Sequence, residues 1–137
     1  MTNNEKQKEI KIENKETEIW IGKHRFYLGK DNILHITCVG DIDEKIALEM
    51  KEADLKFKNM AEEKFDVLTD LNKSGKHTSE ARKIWKEMTE HDKSGKIAMF
   101  GIHPSARVLA SFVMEISKKK DMRFFKTKEE ALLWLKE

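Results

Sequence analysis

The sequence predicts an α/β protein built on a single mixed β-sheet, with an N-terminal antiparallel hairpin leading into parallel βαβ strands and about four helices. Three observations carry that reading. Short runs rich in β-branched and aromatic residues alternate with longer stretches of helical apolar spacing, the pattern of βαβ units with right-handed crossovers. Gly, Asn, Asp and Ser clusters fall between the runs and mark the turns. At 137 residues, with 39% apolar side chains that include seven Phe, three Trp and seven Met, the chain suits one core and would starve two.

The elements follow in order. Residues 1–17 hold few sizeable apolar groups and are expected to be a flexible tail, leaving 18–137 as one domain. Alternation of Ile19, Ile21, Phe26 and Leu28 predicts a strand over Glu18 to Leu28, and Gly29 to Asn32 supplies the turn to a second strand, Ile33 to Val39. Gly40 and Asp41 are expected to stop it. Asp43 is a suitable N-cap for a helix whose Ile46, Met50, Ala53, Phe57 and Met60 form a buried seam. Phe65 to Leu71 reads as a strand ended by a loop over Asn72 to Lys76. Thr78 or Ser79 caps the next helix, with Ala81, Ile84, Trp85 and Met88 inward. The strand Lys96 to Ile102 follows, and Pro104 opens a helix with a wide apolar face over Val108, Leu109, Phe112, Val113 and Ile116. Met122 to Phe125 is a last strand. Thr127 and Glu130 form a capping box before Lys128 to Leu135.

Composition limits the function. The 27 basic and 25 acidic residues nearly balance, yet Met1 to Leu68 sums to −3, Thr69 to Lys128 to +7 and Glu129 to Glu137 to −2. The middle block is where an anion would be attracted. Its charges alternate in sign around Arg82, Lys83, Lys86, Glu87 and Glu90, the mark of a solvated helix face, so no nucleic-acid partner is expected. Lys118 to Lys120 is too short for a basic arm. One Cys excludes an intrachain disulfide, and the lack of any long apolar run argues against a signal peptide or membrane span; a cytoplasmic location is expected.

In such a sheet the carboxyl ends of the parallel strands meet the amino ends of the following helices along one edge, the usual place for a ligand. That edge collects Gly40 and Asp41; Asp70, Asn72, Ser74, Gly75, Lys76, His77, Thr78 and Ser79; His103, Ser105 and Arg107; and Lys126 and Thr127. Free helix N–H groups beside Lys76, Arg107 and Lys126 favour a phosphate or carboxylate. Ser79, His77 and Asp70 have the chemistry of a triad but lack a Gly-x-Ser-x-Gly elbow. The five His include no His-x-x-x-His pair, Cys38 stands inside a strand, and Ser74-Gly75-Lys76 lacks the upstream Gly of a phosphate loop. No catalytic residue, metal site or cofactor is therefore expected, and an uncharacterised hydrolase using Ser79 or His103 is the least favoured reading.

The strings Val67-Leu68-Thr69-Asp70-Leu71, Ser79 to Trp85, Ala98-Met99-Phe100-Gly101, Arg107 with Phe112, and above all Phe124 to Leu135 resemble the STAS-type SpoIIAA-like family, also described as STAS/SEC14-related. The resemblance spans Phe26 to Leu135 and implies a STAS-like fold and a non-enzymatic regulatory or binding module that recognises a partner protein or small anionic ligand. In antagonists of anti-sigma factors with this fold, a serine opening the helix after the central strand is phosphorylated; Ser79 matches it by offset from Asp70. Thr78 stands where an Asp usually precedes that serine, and Glu80 would repel a phosphate. The SEC14-related description implies instead a carrier with a lipid-sized apolar cavity, with which Met50, Met60, Met88 and Met114 are compatible. Trp20, Phe26 and Tyr27 in the hairpin suggest a homodimer.

Overall fold

The computed structural model describes residues 12–14, 17–118 and 121–137. It contains one seven-stranded sheet whose strands lie side by side in sequence order. These are β1 (Ile12–Asn14), β2 (Glu18–Ile21), β3 (His24–Leu28), β4 (Ile33–Ile42), β5 (Phe65–His77), β6 (Ser94–Phe100) and β7 (Met122–Phe125). The first four pair antiparallel, and β4 to β7 pair parallel, joined by α1 (Glu44–Met60), α2 (Ser79–Thr89) and α3 (Pro104–Ile116), with α4 (Lys128–Leu135) last.

The predicted mixed sheet with four helices is thus present, with local corrections. Glu18 to Leu28 is two strands rather than one, because Gly22 takes a φ of 61° and turns the chain back on itself. Within the predicted tail, Ile12–Asn14 pairs with β2; residues 1–11, 15 and 16 lie outside the described residues, as do Lys119 and Lys120. Gly40 and Asp41 do not end β4, and Asn72 to Lys76 is not a loop: β4 runs on to Ile42 and β5 to His77. Two bulges make this overrun possible, since Thr37 pairs with Asp70, Val39 with Lys73, Gly40 with Ser74 and Ile42 with His77, each shift absorbing an extra β5 residue. Pairing of β5 with β6 ends at Asp70 and Phe100, so beyond that point β4 and β5 form a two-stranded arm.

The sheet is packed on both faces. Ile19, Ile21, Phe26, Leu34, Ile36, Val67, Leu71, Ile97 and Met99 meet the inner faces of α1, α2 and α3. On the other face Ile33, Leu68, Ala98 and Phe100 meet Ala131 and Leu135 of α4, with Phe125, Leu132 and Trp134 half-buried beside them. Asp43 caps α1 by accepting from the Ile46 N–H at 2.9 Å. Met60, expected in the buried seam of α1, is 59% exposed, because the helix ends there and Ala61 turns to extended backbone. Inside the helical layer the ion pair Asp54–Lys58 is buried, and Lys58 Nζ also donates to the Met88 carbonyl at 2.7 Å. Burial pushes the Asp54 carboxyl above its ordinary range, against the pull of Lys58. The void between sheet and helices measures about 40 Å³, a volume for water rather than for a lipid; Met50 and Met88 are buried in the core and Met114 packs against it, while Met60 is exposed.

Candidate functional site

The parallel register of β4 to β7 brings the starts of α2, α3 and α4 to the same edge of the sheet. There an open cleft of about 950 Å³ lies between the β4–β5 arm, α2 and α3, lined by Asp41, Gly75, Lys76, His77, Arg82, Ser105, Val108, Leu109 and Phe112. The arm forms one wall. Its strands approach so closely that a Cβ on Gly75 would lie 2.1 Å from Asp41 Oδ1, and the same carboxylate accepts the Lys76 N–H at 2.8 Å. The opposite wall is α3. Val108 is 69% exposed and Phe112 36%, so two positions of the predicted apolar face are turned away from the core.

The predicted edge residues divide into three groups. Gly75, Lys76, His77 and Ser105 line the cleft. Several others shape its surroundings. Asn72 accepts the Ile102 N–H at 3.1 Å and ties β5 to the turn before α3; Thr78 caps α2 by accepting from Ala81 N at 3.1 Å; His103 occupies the N-cap of α3 without a side-chain cap bond. Ser79 is left exposed at the first helical position, its hydroxyl donating to Glu80 at 3.3 Å, while Ser74 reaches only the Gly75 carbonyl at 3.5 Å. Arg107 is exposed on α3. The third group lies on the other sheet face: Asp70 lines a shallow basin with Arg25, Tyr27, His35 and Lys128, and Lys126 and Thr127 lead into α4. Thr127 caps that helix by accepting from Glu130 N at 3.2 Å, one half of the predicted capping box, and its hydroxyl donates to Glu130 Oε1 at 3.1 Å.

The triad does not assemble in this geometry. Asp70 accepts from Asn72 N at 2.9 Å, Ser79 bonds Glu80, and His77 Nε2 has no partner among the described residues. Burial pulls the His77 imidazole down to about 4, so the ring is neutral near pH 7. Cys38 is fully buried, and burial with the nearby Asp70 charge pushes its thiol up to about 12, which matches a core side chain. Among the described residues no group of His, Cys, Asp and Glu could hold a metal ion, and no helix is long and apolar enough to cross a membrane.

Sequence reasoning missed Arg82, which it assigned to a solvated face. Its Nη1 donates to the His77 carbonyl at 3.1 Å and its guanidinium lies 4.5 Å from the centroid of the Phe112 ring, bridging the arm to α3. The available signal was its spacing of three from Trp85, which puts both on the stripe beside the buried Ala81, Ile84 and Met88.

Comparison with known proteins agrees with this architecture. The structure of an uncharacterised protein of the DUF3478 family with a SpoIIAA-like fold, from Shewanella loihica PV-4, superposes with a TM-score of 0.57 at 15% identity, covering 92% of this chain and 91% of that one. The anti-sigma factor antagonist SpoIIAA in its unphosphorylated form gives a TM-score of 0.56 at 13% identity, covering 82% of this chain and 97% of that one. At such identities the likeness establishes the SpoIIAA-like fold alone. No curated protein matches the chain in sequence. Residues 26–137 match the family described as a domain of unknown function, DUF7793, and the chain, a mixed sheet of SpoIIAA-like fold, belongs to that family.

Proposed function

We propose that the chain is a non-enzymatic binding module that recognises a partner at the helix amino-end edge, through the cleft between the β4–β5 arm, α2 and α3. The observation that carries this reading is the union, in one cleft, of cationic Lys76 and Arg82 with the exposed apolar side chains of Val108 and Phe112. Exposed apolar groups beside charge are the composition of recognition surfaces. Ile102, 73% exposed at the turn before α3, extends the apolar surface of that edge. The SpoIIAA-like fold supports a regulatory or partner-binding role at this level. The carrier reading finds no support in the void of about 40 Å³ between sheet and helices.

The test uses the full chain as bait in a lysate of its own source, alongside Val108→Glu and, as a control on the other sheet face, Leu133→Glu. A partner held by the wild type and by Leu133→Glu but lost by Val108→Glu supports the reading. A partner indifferent to Val108→Glu overturns it.

A second reading adds a switch. Because Thr78 holds the cap, the Ser79 hydroxyl is exposed and available to a kinase, although Glu80 beside it opposes a phosphate. Ser79→Asp should weaken partner capture while Ser79→Ala leaves it intact; equal capture by both removes the switch. Pairing of two copies through the hairpin belongs to the same proposal. Arg25 stacks on Tyr27 at 4.7 Å and on Trp20 at 5.7 Å, on the sheet face that α4 leaves open. Light scattering should give twice the chain mass, and a monomer at high concentration ends that idea.

A further inference from the structure

The Arg82 guanidinium is fixed on two sides and unengaged on a third. Nη1 is held by the His77 carbonyl and the flat face by the Phe112 ring, while the buried Nε–H has no acceptor. Among the described residues no carboxylate pairs with it. A guanidinium stays charged at any pH a protein meets, and a buried N–H left without an acceptor costs stability. Two further buried nitrogens, His77 Nε2 and Trp85 Nε1, also lack partners, and these two rings lie 6.4 Å apart. All three orphans thus belong to the end of β5 and the first turns of α2. Among the described residues these are the three buried side-chain nitrogens without a partner; Arg82 and His77 line the cleft, whereas Trp85 lines the void between sheet and helices, so two of the three belong to the site.

The surroundings define what would satisfy it. The Nε side of an arginine fork presents two parallel N–H bonds suited to the oxygens of a carboxylate or phosphate. Lys76 adds a second cation at the rim, and the one acidic lining residue, Asp41, already accepts the Lys76 N–H. Across from these charges the wall is Val108, Leu109 and Phe112. An inorganic anion would leave that wall wet, and a hydrocarbon would leave Arg82 unmatched.

We infer that the cleft takes a small amphipathic oxyanion, a carboxylate or phosphate carried on an apolar body, with the oxyanion on the Nε side of Arg82 and the apolar part along Val108 and Phe112. This rests on the cleft being the binding site proposed above and adds the ligand's chemistry and the residue that selects it. The open volume is of the size of small-molecule pockets, roughly 300–1,000 Å³.

The experiment titrates the full chain with octanoate, octyl phosphate, octanol and inorganic phosphate, following the Arg Nε–H and Trp indole N–H resonances. Octanoate or octyl phosphate should shift the Arg82 Nε–H signal, and the stronger of the two identifies the preferred head group. Octanol and inorganic phosphate should bind at least tenfold more weakly. Arg82→Lys, which keeps the charge and loses the planar fork, should weaken the acid-bearing probe about tenfold. Since the wild-type resonance is itself a readout, an unstable variant does not spoil the test. Octanol binding as well as the stronger of the two acidic probes, full binding of that probe by Arg82→Lys, or an unmoved Arg82 signal at millimolar probe overturns the inference. A cleft-dependent protein partner with binding of neither octanoate nor octyl phosphate would sink this inference alone; binding of either at Arg82 beside a partner indifferent to Val108→Glu would sink the partner reading alone.

Discussion

Thr78 and Ser79 are adjacent, similar side chains with different work, and substitution should separate them. Thr78→Ala removes the acceptor of the Ala81 N–H and should cost about 1 kcal/mol in urea denaturation, whereas Ser79→Ala should stay within about 0.5 kcal/mol. His77 gives a pH signature. Its folded value, about 4, lies below the ordinary 6.5, so the unfolded chain binds the proton first. Its contribution to stability is therefore complete above pH 6.5 and is lost as the pH falls toward 4. His24, lowered by burial, acts in the same direction. Urea midpoints for wild type and His77→Gln should diverge over that window, the wild type falling more steeply; parallel curves would refute the assignment. Capping residues were legible at this scale because a cap is a local bond: Asp43, Thr127 and the alternative of Thr78 or Ser79 were all read from neighbouring positions. Arg82 was not, because its partners, the His77 carbonyl and the Phe112 ring, reach it from another strand and another helix.

From β4 onward the elements were legible in kind and order and their ends were not, while β1 and the turn at Gly22 that splits β2 from β3 went unread. Polar, Gly-containing stretches such as Gly40-Asp41 and Asn72 to Lys76 have the composition of loops, yet each serves as the other's ladder partner. Such pairing is set by the two bulges and by strands far apart in sequence, which no local pattern reports. Gly75 tests the close approach of the two strands. Gly75→Ala would set a methyl 2.8 Å from the Asp41 backbone nitrogen as well as against its carboxylate, so a loss of about 1–3 kcal/mol is expected. A thermal melt unchanged from wild type would show that the arm is looser than described.

For the whole molecule, the sheet's two faces are unequally loaded, three helices against one, and a charged pair lies inside the heavier layer. Lys58, paired with Asp54 within α1, joins that helix to α2 through the Met88 carbonyl. Lys58→Met should cost about 3–5 kcal/mol because it strands the Asp54 carboxylate, and the double change Asp54→Leu with Lys58→Met should recover much of it. Denaturation curves for the three proteins decide the point; equal losses for the single and double variants would mean that packing, not charge, holds the helices. The order of elements foretold the mixed sheet, since short strands alternating with helical periods leave little choice of topology. It did not foretell the open cleft, whose apolar wall was read as core because periodicity cannot tell a helix face that meets the sheet from one that overhangs its edge.

The overrun of β4 and β5 has a kinetic consequence. The Lys76 and Thr78 amides, held by the Asp41 carboxylate and the Ile42 carbonyl rather than left as loop groups, should exchange with deuterium slowly for so polar a stretch. Whatever enters beside them then meets a preformed lip, and association need not wait for that stretch of chain to order itself.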